Sequence, residues 1–135
     1  MDLYLFLCWC IIAFSLSPLV PPKIELSMTN VTMTGRDSSY VHATVGSHIT
    51  VKEGISVSIE CKATGRPKPQ IKWIRRDKQF VVDQRIYITA NNYFRMDQVK
   101  VSDSGEYICV AKNQAGEARG SSTLLVGGTI LLINR

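Results

Sequence analysis

Asp103 and Ser104 are adjacent, and beside a histidine they would supply two parts of a hydrolytic triad, in which a base activates the serine hydroxyl. The sequence contains two histidines, His42 and His48, and both lie far upstream, at the expected N-terminal edge of the domain. No Gly-x-Ser-x-Gly turn surrounds the serine. These residues do not predict nucleophilic catalysis, so we expect no catalytic residues and no enzymatic activity.

Metal and phosphate chemistry are disfavoured for similar reasons. The two histidines stand six positions apart, without Cys, Asp or Glu residues nearby at the spacing of a ligand set. The sequence also lacks a glycine-rich phosphate-binding loop. We therefore expect no metal, no cofactor and no small-molecule substrate.

The most informative spacing joins a cysteine, a tryptophan, a tyrosine and a second cysteine. Trp73 follows Cys61 by twelve positions, and Tyr107 precedes Cys109 by two. This order and spacing are typical of a sandwich of two antiparallel sheets with a tyrosine at one corner. The surrounding segments are Gly65-Arg-Pro-Lys-Pro-Gln-Ile-Lys-Trp73, Asp103-Ser-Gly-Glu-Tyr107-Ile-Cys109 and Cys109-Val-Ala-Lys-Asn-Gln-Ala-Gly-Glu117.

On these segments the chain resembles the immunoglobulin superfamily, and its intermediate (I-set) subclass in particular, over roughly 51–126. The resemblance implies an all-β, Greek-key sandwich with one inter-sheet disulfide between Cys61 and Cys109, and with Trp73 and Tyr107 in the core. It also implies that Asp103 pairs with Arg85, as a similar Arg–Asp pair does in related sandwiches. An unpaired aspartate in an exposed turn is the alternative, because such residues initiate turns without partners.

Alternating apolar and polar residues predict the sandwich independently of the resemblance. Val57, Ile59 and Cys61 alternate with polar residues, which indicates a half-buried strand. Further short strands are predicted over 71–74, 79–82, 86–89, 93–96, 106–112 and 122–126, with a hairpin over 113–116. The side chains expected to point inward are those of Phe94, Met96, Val99, Ala111, Ser122, Leu124 and Val126. A chain of 135 residues with 45% apolar content fits one such domain.

Residues 1–17 are predicted to be a cleaved signal peptide. Its apolar run from Leu3 to Leu16 is shorter than the ~20 residues that a membrane-spanning helix needs, although Asp2 makes the preceding region acidic rather than basic. An uncleaved signal anchor is the alternative. Cleavage would remove Cys8 and Cys10 and leave the expected disulfide in an oxidising, secreted compartment.

The next segment, 18–39, is predicted to be a flexible arm that contains a glycosylation site. Asn30 begins the acceptor motif Asn-Val-Thr in polar sequence, so we expect it to carry a glycan. The first strand of the domain is either Ile24–Leu26 or Tyr40–Val45, and we favour the second because long structureless loops inside compact domains are uncommon. The domain is then expected over 40–127, followed by a short tail over 128–135.

Two surfaces are candidates for binding a partner. Ile74, Ile108 and Val110 are predicted to point outward on neighbouring strands and to form an apolar strip, which could contact a protein. A cluster of cations could instead bind heparan sulfate by charge density. Its members are Arg66, Lys68, Lys72, Arg75, Arg76 and Lys78.

The resemblance implies a non-enzymatic protein-binding module, because similar domains occur in neural adhesion molecules, in matrix proteins of the hemicentin and perlecan type and in fibroblast growth factor receptors. We expect a cell-surface or matrix protein partner, with homophilic binding as one form of it. The alternatives are a soluble binder or decoy of a growth factor or receptor, and a structural domain of a longer chain. Secretion disfavours nucleic acid as a partner, and the net charge of +5 is too small to indicate one.

Overall fold

Alternating apolar side chains build two sheets whose inner faces share one core. The computed structural model describes residues 17–33 and 39–127, so the predicted signal peptide and the predicted tail lie outside the described residues, apart from Ser17. In this part of the chain the regular helix is one 3-10 turn, Val101–Asp103, and no helix is long and apolar enough to cross a membrane. The strands are β1 (Val20–Ile24), β2 (Asn30–Met33), β3 (Tyr40–Thr44), β4 (His48–Lys52), β5 (Ser56–Glu60), β6 (Ala63–Arg66), β7 (Gln70–Arg75), β8 (Ile86–Ile88), β9 (Phe94–Met96), β10 (Gly105–Asn113) and β11 (Gly116–Gly127).

One sheet has five strands in the order β2-β4-β11-β10-β7. Antiparallel pairing of β10 with β7 sets Cys109 opposite Trp73, and pairing with β11 sets Tyr107 opposite Ser122. On the other side, β11 pairs in parallel with β4, and β4 pairs in parallel with β2. Because side chains alternate across a strand, every second residue of β7, β10 and β11 lies on the face turned away from the core.

The second sheet has four strands in the order β3-β5-β9-β8. Its inner face contributes Val57, Ile59, Phe94 and Met96, all of which are fully buried. The Cys61–Cys109 disulfide links the two layers, with its sulfur atoms 2.05 Å apart. The all-β sandwich with one inter-sheet disulfide is therefore confirmed.

Aromatic rings fill the centre of the core. The Phe94 ring lies 4.9 Å from that of Tyr107 and 5.4 Å from that of Trp73, measured between centroids. All of the side chains predicted to point inward on β9, β10 and β11 are buried. Contacts of this size and number between aromatic rings contribute much of the hydrophobic stabilisation of a small domain.

The N-terminal segment differs from the flexible arm that the sequence suggests. β1 shares only Ile24 with the candidate first strand Ile24–Leu26 and pairs with β6 in a separate two-stranded sheet. β3 covers Tyr40–Thr44 of the favoured candidate and pairs with β5. Ile24 and Val31 also pack against the core. An uncovered edge leaves backbone N–H and C=O groups unpaired, and this explains why residues 20–24 and 30–33 form strands instead of an arm.

The predicted strand over 79–82 is absent from the described secondary structure. Phe80 packs against the core, with its ring 5.2 Å from that of Phe94, whereas Val81 and Val82 are exposed. Two adjacent valines that both face solvent break the alternation that a half-buried strand needs. As a result, β7 is an edge strand of the five-stranded sheet.

Candidate functional site

The segment from Asp103 to Cys109 stabilises the fold at the corner where β10 begins. The Tyr107 hydroxyl donates a hydrogen bond of 2.5 Å to the carbonyl oxygen of Asp103. Burial raises the pKa of Tyr107 to about 12, so this donor keeps its proton throughout the physiological range. The tyrosine thus has the corner role that the sequence spacing predicts.

Asp103 forms a bidentate pair with Arg85. Its two carboxylate oxygens accept hydrogen bonds of 2.6 and 2.9 Å from the guanidinium, and one of them also accepts a bond of 2.8 Å from the Lys100 N–H. Asp103 is 4% exposed. Burial alone would raise the pKa of this carboxyl, but the hydrogen bonds from Arg85 and Lys100 outweigh burial and hold the pKa below its usual value.

A hydrolytic triad does not assemble around Ser104. Its hydroxyl oxygen accepts a hydrogen bond of 2.9 Å from the Val126 N–H, which ties the corner to β11. His42 lies on β3 beside Glu60, and His48 lies on β4, in a different sheet from β3. Among residues 17–33 and 39–127 no group of three potential ligands could hold a metal ion. The corner residues are therefore structural.

The predicted apolar strip lies on the outer face of the five-stranded sheet, but it is less exposed than expected. Ile74 and Ile108 stand directly opposite each other on β7 and β10, and both are half-buried. Val110 points to the same face and is only 8% exposed, which corrects the prediction that it forms open surface. Its two cross-strand neighbours are Lys72 and Arg119, whose aliphatic stems can cover a valine while their charged ends stay in water.

Charged side chains surround these apolar residues. Arg76 pairs with Glu106 at 2.8 Å, and Arg119 pairs with Glu117 at 3.1 Å. Lys112, at the end of β10, is exposed. We call this surface the β7–β10–β11 outer face; it consists of Lys72, Ile74, Arg76, Glu106, Ile108, Val110, Lys112, Glu117, Arg119 and Ser121.

Five residues of this face were not among the predicted site residues: Lys112, Glu106, Glu117, Arg119 and Ser121. Lys112 and Glu106 have the same even numbering as Ile108, which places them on the same side of β10. For β11, the hairpin provides the missing signal. Gly116 pairs with Asn113, and this pairing sets the register in which Ser121 lies opposite Ile108. The register follows from the position of the turn.

A shallow cleft of about 180 Å³ opens on this face. It is lined by Arg76, Ile108, Arg119, Gly120 and Ser121. Two guanidinium groups with one apolar side chain between them provide both charge and buried area for a ligand group. The cleft therefore brings two arginines and one apolar side chain of the β7–β10–β11 outer face together.

The predicted cluster of cations is divided by the structure. Arg75 donates hydrogen bonds of 3.0 and 2.6 Å to the carbonyl oxygens of Ser102 and Ser104, and its guanidinium lies 5.4 Å from the centre of the Tyr107 ring. It therefore supports the corner, and its half-buried guanidinium is occupied by these contacts. The numbering indicates this, because Arg75 and Arg76 are consecutive on an extended chain and must point in opposite directions.

The other five members of that cluster are exposed. Lys72 and Arg76 belong to the β7–β10–β11 outer face, whereas Arg66 and Lys68 lie on and just after β6. Lys78 is also exposed, in the turn region beyond β7. Lys68 lines one cavity together with Lys112 of the outer face, so a patch of these exposed cations without Arg75 stays a prediction.

Asn30 is the first residue of β2, and its side chain is exposed. Its neighbours Val31 and Met33 pack against the core, so Asn30 projects from the outer side of the sheet. It lies opposite His48, which in turn lies opposite Thr123. The acceptor motif is therefore at an accessible edge of the five-stranded sheet.

Comparison with known protein families identifies one domain. The family described as "Immunoglobulin I-set domain" matches residues 40–126. Among characterised proteins, Protein sax-3 of Caenorhabditis elegans is 38% identical over 78 residues, which cover 58% of this chain and 6% of that protein. Neural cell adhesion molecule L1 of Rattus norvegicus is 31% identical over 99 residues, covering 73% of this chain and 8% of that protein.

Solved structures give the same fold. Extracellular domains 3–5 of Drosophila OTK superpose with a TM-score of 0.60 and 28% identity, covering 81% of this chain and 32% of that one. The titin tandem A164–A165 superposes with a TM-score of 0.60 and 25% identity, covering 83% and 50%. The chain thus spans less than a tenth of the length of these two sequence relatives and corresponds to one of their domains.

Proposed function

The chain belongs to the immunoglobulin I-set family, and from this membership we propose that it is a secreted, non-enzymatic protein-binding module in cell adhesion or extracellular-matrix recognition. The names of relatives such as neural cell adhesion molecule L1 support an adhesion role. The fold alone supports many functions. The proposal therefore rests on a surface of this chain and on the chemistry of its residues.

The observation that carries the proposal is the cross-strand pair Ile74–Ile108 on the β7–β10–β11 outer face. Two half-buried isoleucines, bordered by charged side chains, resemble the apolar centre and polar rim of a protein interface. The corner residues Asp103 and Tyr107 are occupied by internal hydrogen bonds, so they support the fold and do not contact a partner.

Replacing Ile108 by glutamate is expected to weaken binding to a protein partner at least about tenfold, because the few hot-spot residues near the centre of an interface contribute about 2 kcal/mol or more each. Val82→Glu is the matched control, since Val82 is an exposed apolar residue outside this face. The measurement is capture of cell-surface proteins by the immobilised domain, with self-association followed by analytical ultracentrifugation.

The outcomes separate the candidate roles. Self-association or capture of matrix proteins, lost in Ile108→Glu and kept in Val82→Glu, supports adhesion or matrix recognition. A domain that stays monomeric and captures one soluble growth factor or receptor would be a decoy. If the folded domain captures nothing, or if both variants lose binding equally, the proposed role of this face is wrong and a structural role in a longer chain replaces it.

Asn30 is expected to carry an N-linked glycan in protein secreted from animal cells. The side chain is exposed at the start of β2, and Thr32 completes the acceptor motif. Peptide N-glycosidase should lower the mass of the secreted protein, and Asn30→Gln should remove that mass difference. Secreted Asn30-containing protein whose mass the enzyme leaves unchanged would contradict the prediction.

A further inference from the structure

Lys72 and Arg119 have an unusual position on the β7–β10–β11 outer face. They flank Val110 from both sides in the strand register, and Val110 is nearly inaccessible although it points outward. Both cations are exposed, so their charged ends stay in water on either side of Val110 and are accessible to an anionic group.

The charge of this face is unbalanced. It has four cations, Lys72, Arg76, Lys112 and Arg119, and two carboxylates, Glu106 and Glu117. Both carboxylates are paired with arginines. Lys72 and Lys112 have no carboxylate within 4.0 Å in the described part of the chain. A positive charge therefore remains beside the Ile74–Ile108 pair.

We propose that the β7–β10–β11 outer face binds an acidic surface of another protein, with its carboxylates near Lys72, Lys112 and Arg119 and its apolar groups on Ile74 and Ile108. This inference rests on the proposed protein-binding function and specifies the chemistry of the partner. The cleft between Arg76 and Arg119 accepts one acidic side chain over Ile108.

A second copy of this chain fits the face less well. Two copies packed face to face would bring two net positive surfaces together, and like charges across an interface are unfavourable. A sulfated glycan also fits less well, because Glu106 and Glu117 would repel sulfates and the two isoleucines would be left without apolar partners. An acidic protein surface satisfies both the cations and the isoleucines.

The test uses the secreted domain labelled with ¹⁵N and titrated with a defined probe, a capped seven-residue peptide in which Glu alternates with Leu. Backbone amide shifts should change on β7, β10 and β11 around Ile74 and Ile108. The double variant Lys72→Gln/Arg119→Gln removes two charges and keeps part of each stem. It should bind the peptide about fivefold more weakly, which corresponds to about 1 kcal/mol for the two exposed charges together.

The matched control is Lys23→Gln/Arg66→Gln, which removes the same charge from two exposed cations outside this face. It should bind the peptide as the unchanged domain does. A peptide with Gln in place of Glu and a heparin-derived tetrasaccharide should both bind more weakly than the acidic peptide. Equal losses in the two double variants, shifts elsewhere on the domain, or tighter binding of the tetrasaccharide to this face would overturn the inference.

This result is separable from the test of the proposed function. Capture of cell-surface proteins that depends on Ile108 but not on Lys72 and Arg119 would keep the function and remove the acidic partner. Binding of the acidic peptide at this face, without capture of any cell-surface or matrix protein, would keep the inference about chemistry and remove the adhesion role. Peptide-independent dimers that dissociate in Ile108→Glu would assign the face to a second copy and contradict the inference.

Discussion

Replacing Cys61 and Cys109 together by alanine is expected to lower the free energy of unfolding by about 4 kcal/mol. The disulfide closes a loop of 48 positions, and the chain-entropy treatment of cross-links gives this value for such a loop. A loss of this size is a large part of the 5–15 kcal/mol, roughly, that stabilises a typical domain. Guanidinium-induced unfolding, followed by Trp73 fluorescence, measures the change.

Two comparisons test the mechanism of that loss. Each single variant, Cys61→Ala or Cys109→Ala, already opens the loop, so the double variant should lose at most about 1 kcal/mol more than either one. Reduction of the unchanged protein should give a loss similar to that of the double variant. If the free energy of unfolding of the double variant lies within about 1 kcal/mol of that of the oxidised protein, loop closure contributes little to its stability.

The fold was predictable because a few residues have roles that no other residue type fills. Cys61, Trp73, Tyr107 and Cys109 are recognisable by type and spacing, and the structure places all four in the core. Period-two alternation also identified the inner sides of β9, β10 and β11 correctly. These features are local, so they can be read without knowing which strands are neighbours.

Features that depend on strand neighbours were not predictable in the same way. Val110 points outward as its numbering indicates, but it is only 8% exposed, and its cross-strand neighbours Lys72 and Arg119 come from other strands. The pairing of β1 with β6 and of β3 with β5 depends on which edge is free once the sheets have formed. Surface features depend on turn positions and on sheet edges. The surface is therefore harder to predict from the sequence than the core.

The candidate site changes character for the same reason. The predicted strip of three apolar residues is two half-buried isoleucines bordered by charged side chains. The predicted cluster of six cations loses Arg75, which is half-buried and bonded to the corner. Along the sequence, the apolar strip and the cluster of cations seemed to be alternative binding surfaces. In the structure, Lys72 and Arg76 of the cluster lie on the same face as the two isoleucines. Charge and apolar area should therefore be tested on that face together, with variants that change one property at a time.

Asp103→Ala is expected to lower the free energy of unfolding by about 3–5 kcal/mol, because it leaves Arg85 partly buried without its partner and removes an acceptor for the Lys100 N–H. Asp103→Asn, which retains the shape and one acceptor, should lose less. Thermal and guanidinium-induced unfolding measure the change. Arg85→Met alone should also destabilise, because it leaves the carboxylate of Asp103 buried without its cation.

The same pair predicts how stability depends on pH. The pKa of Asp103 lies below its ordinary value of 3.8 in the folded protein, and an unfolded aspartate titrates near that value. The carboxylate therefore contributes its full stabilisation above the unfolded pKa, and this contribution is lost as the pH falls below it towards the folded pKa. Asp103→Asn should flatten the acid limb of the stability profile, since asparagine does not titrate.

The Arg119–Glu117 pair provides the control for both measurements, because it has a similar distance but side chains that are 58% and 40% exposed. Glu117→Ala should lower the free energy of unfolding by less than about 1 kcal/mol, because water already solvates both charges of the pair. A double-mutant cycle on Arg85 and Asp103 should give a coupling energy above about 1 kcal/mol, whereas the cycle on Arg119 and Glu117 should give a smaller one. Equal coupling in the two cycles would mean that burial does not strengthen the Arg85–Asp103 pair, and the corner would then be held mainly by the hydrogen bond from Tyr107 to the Asp103 backbone.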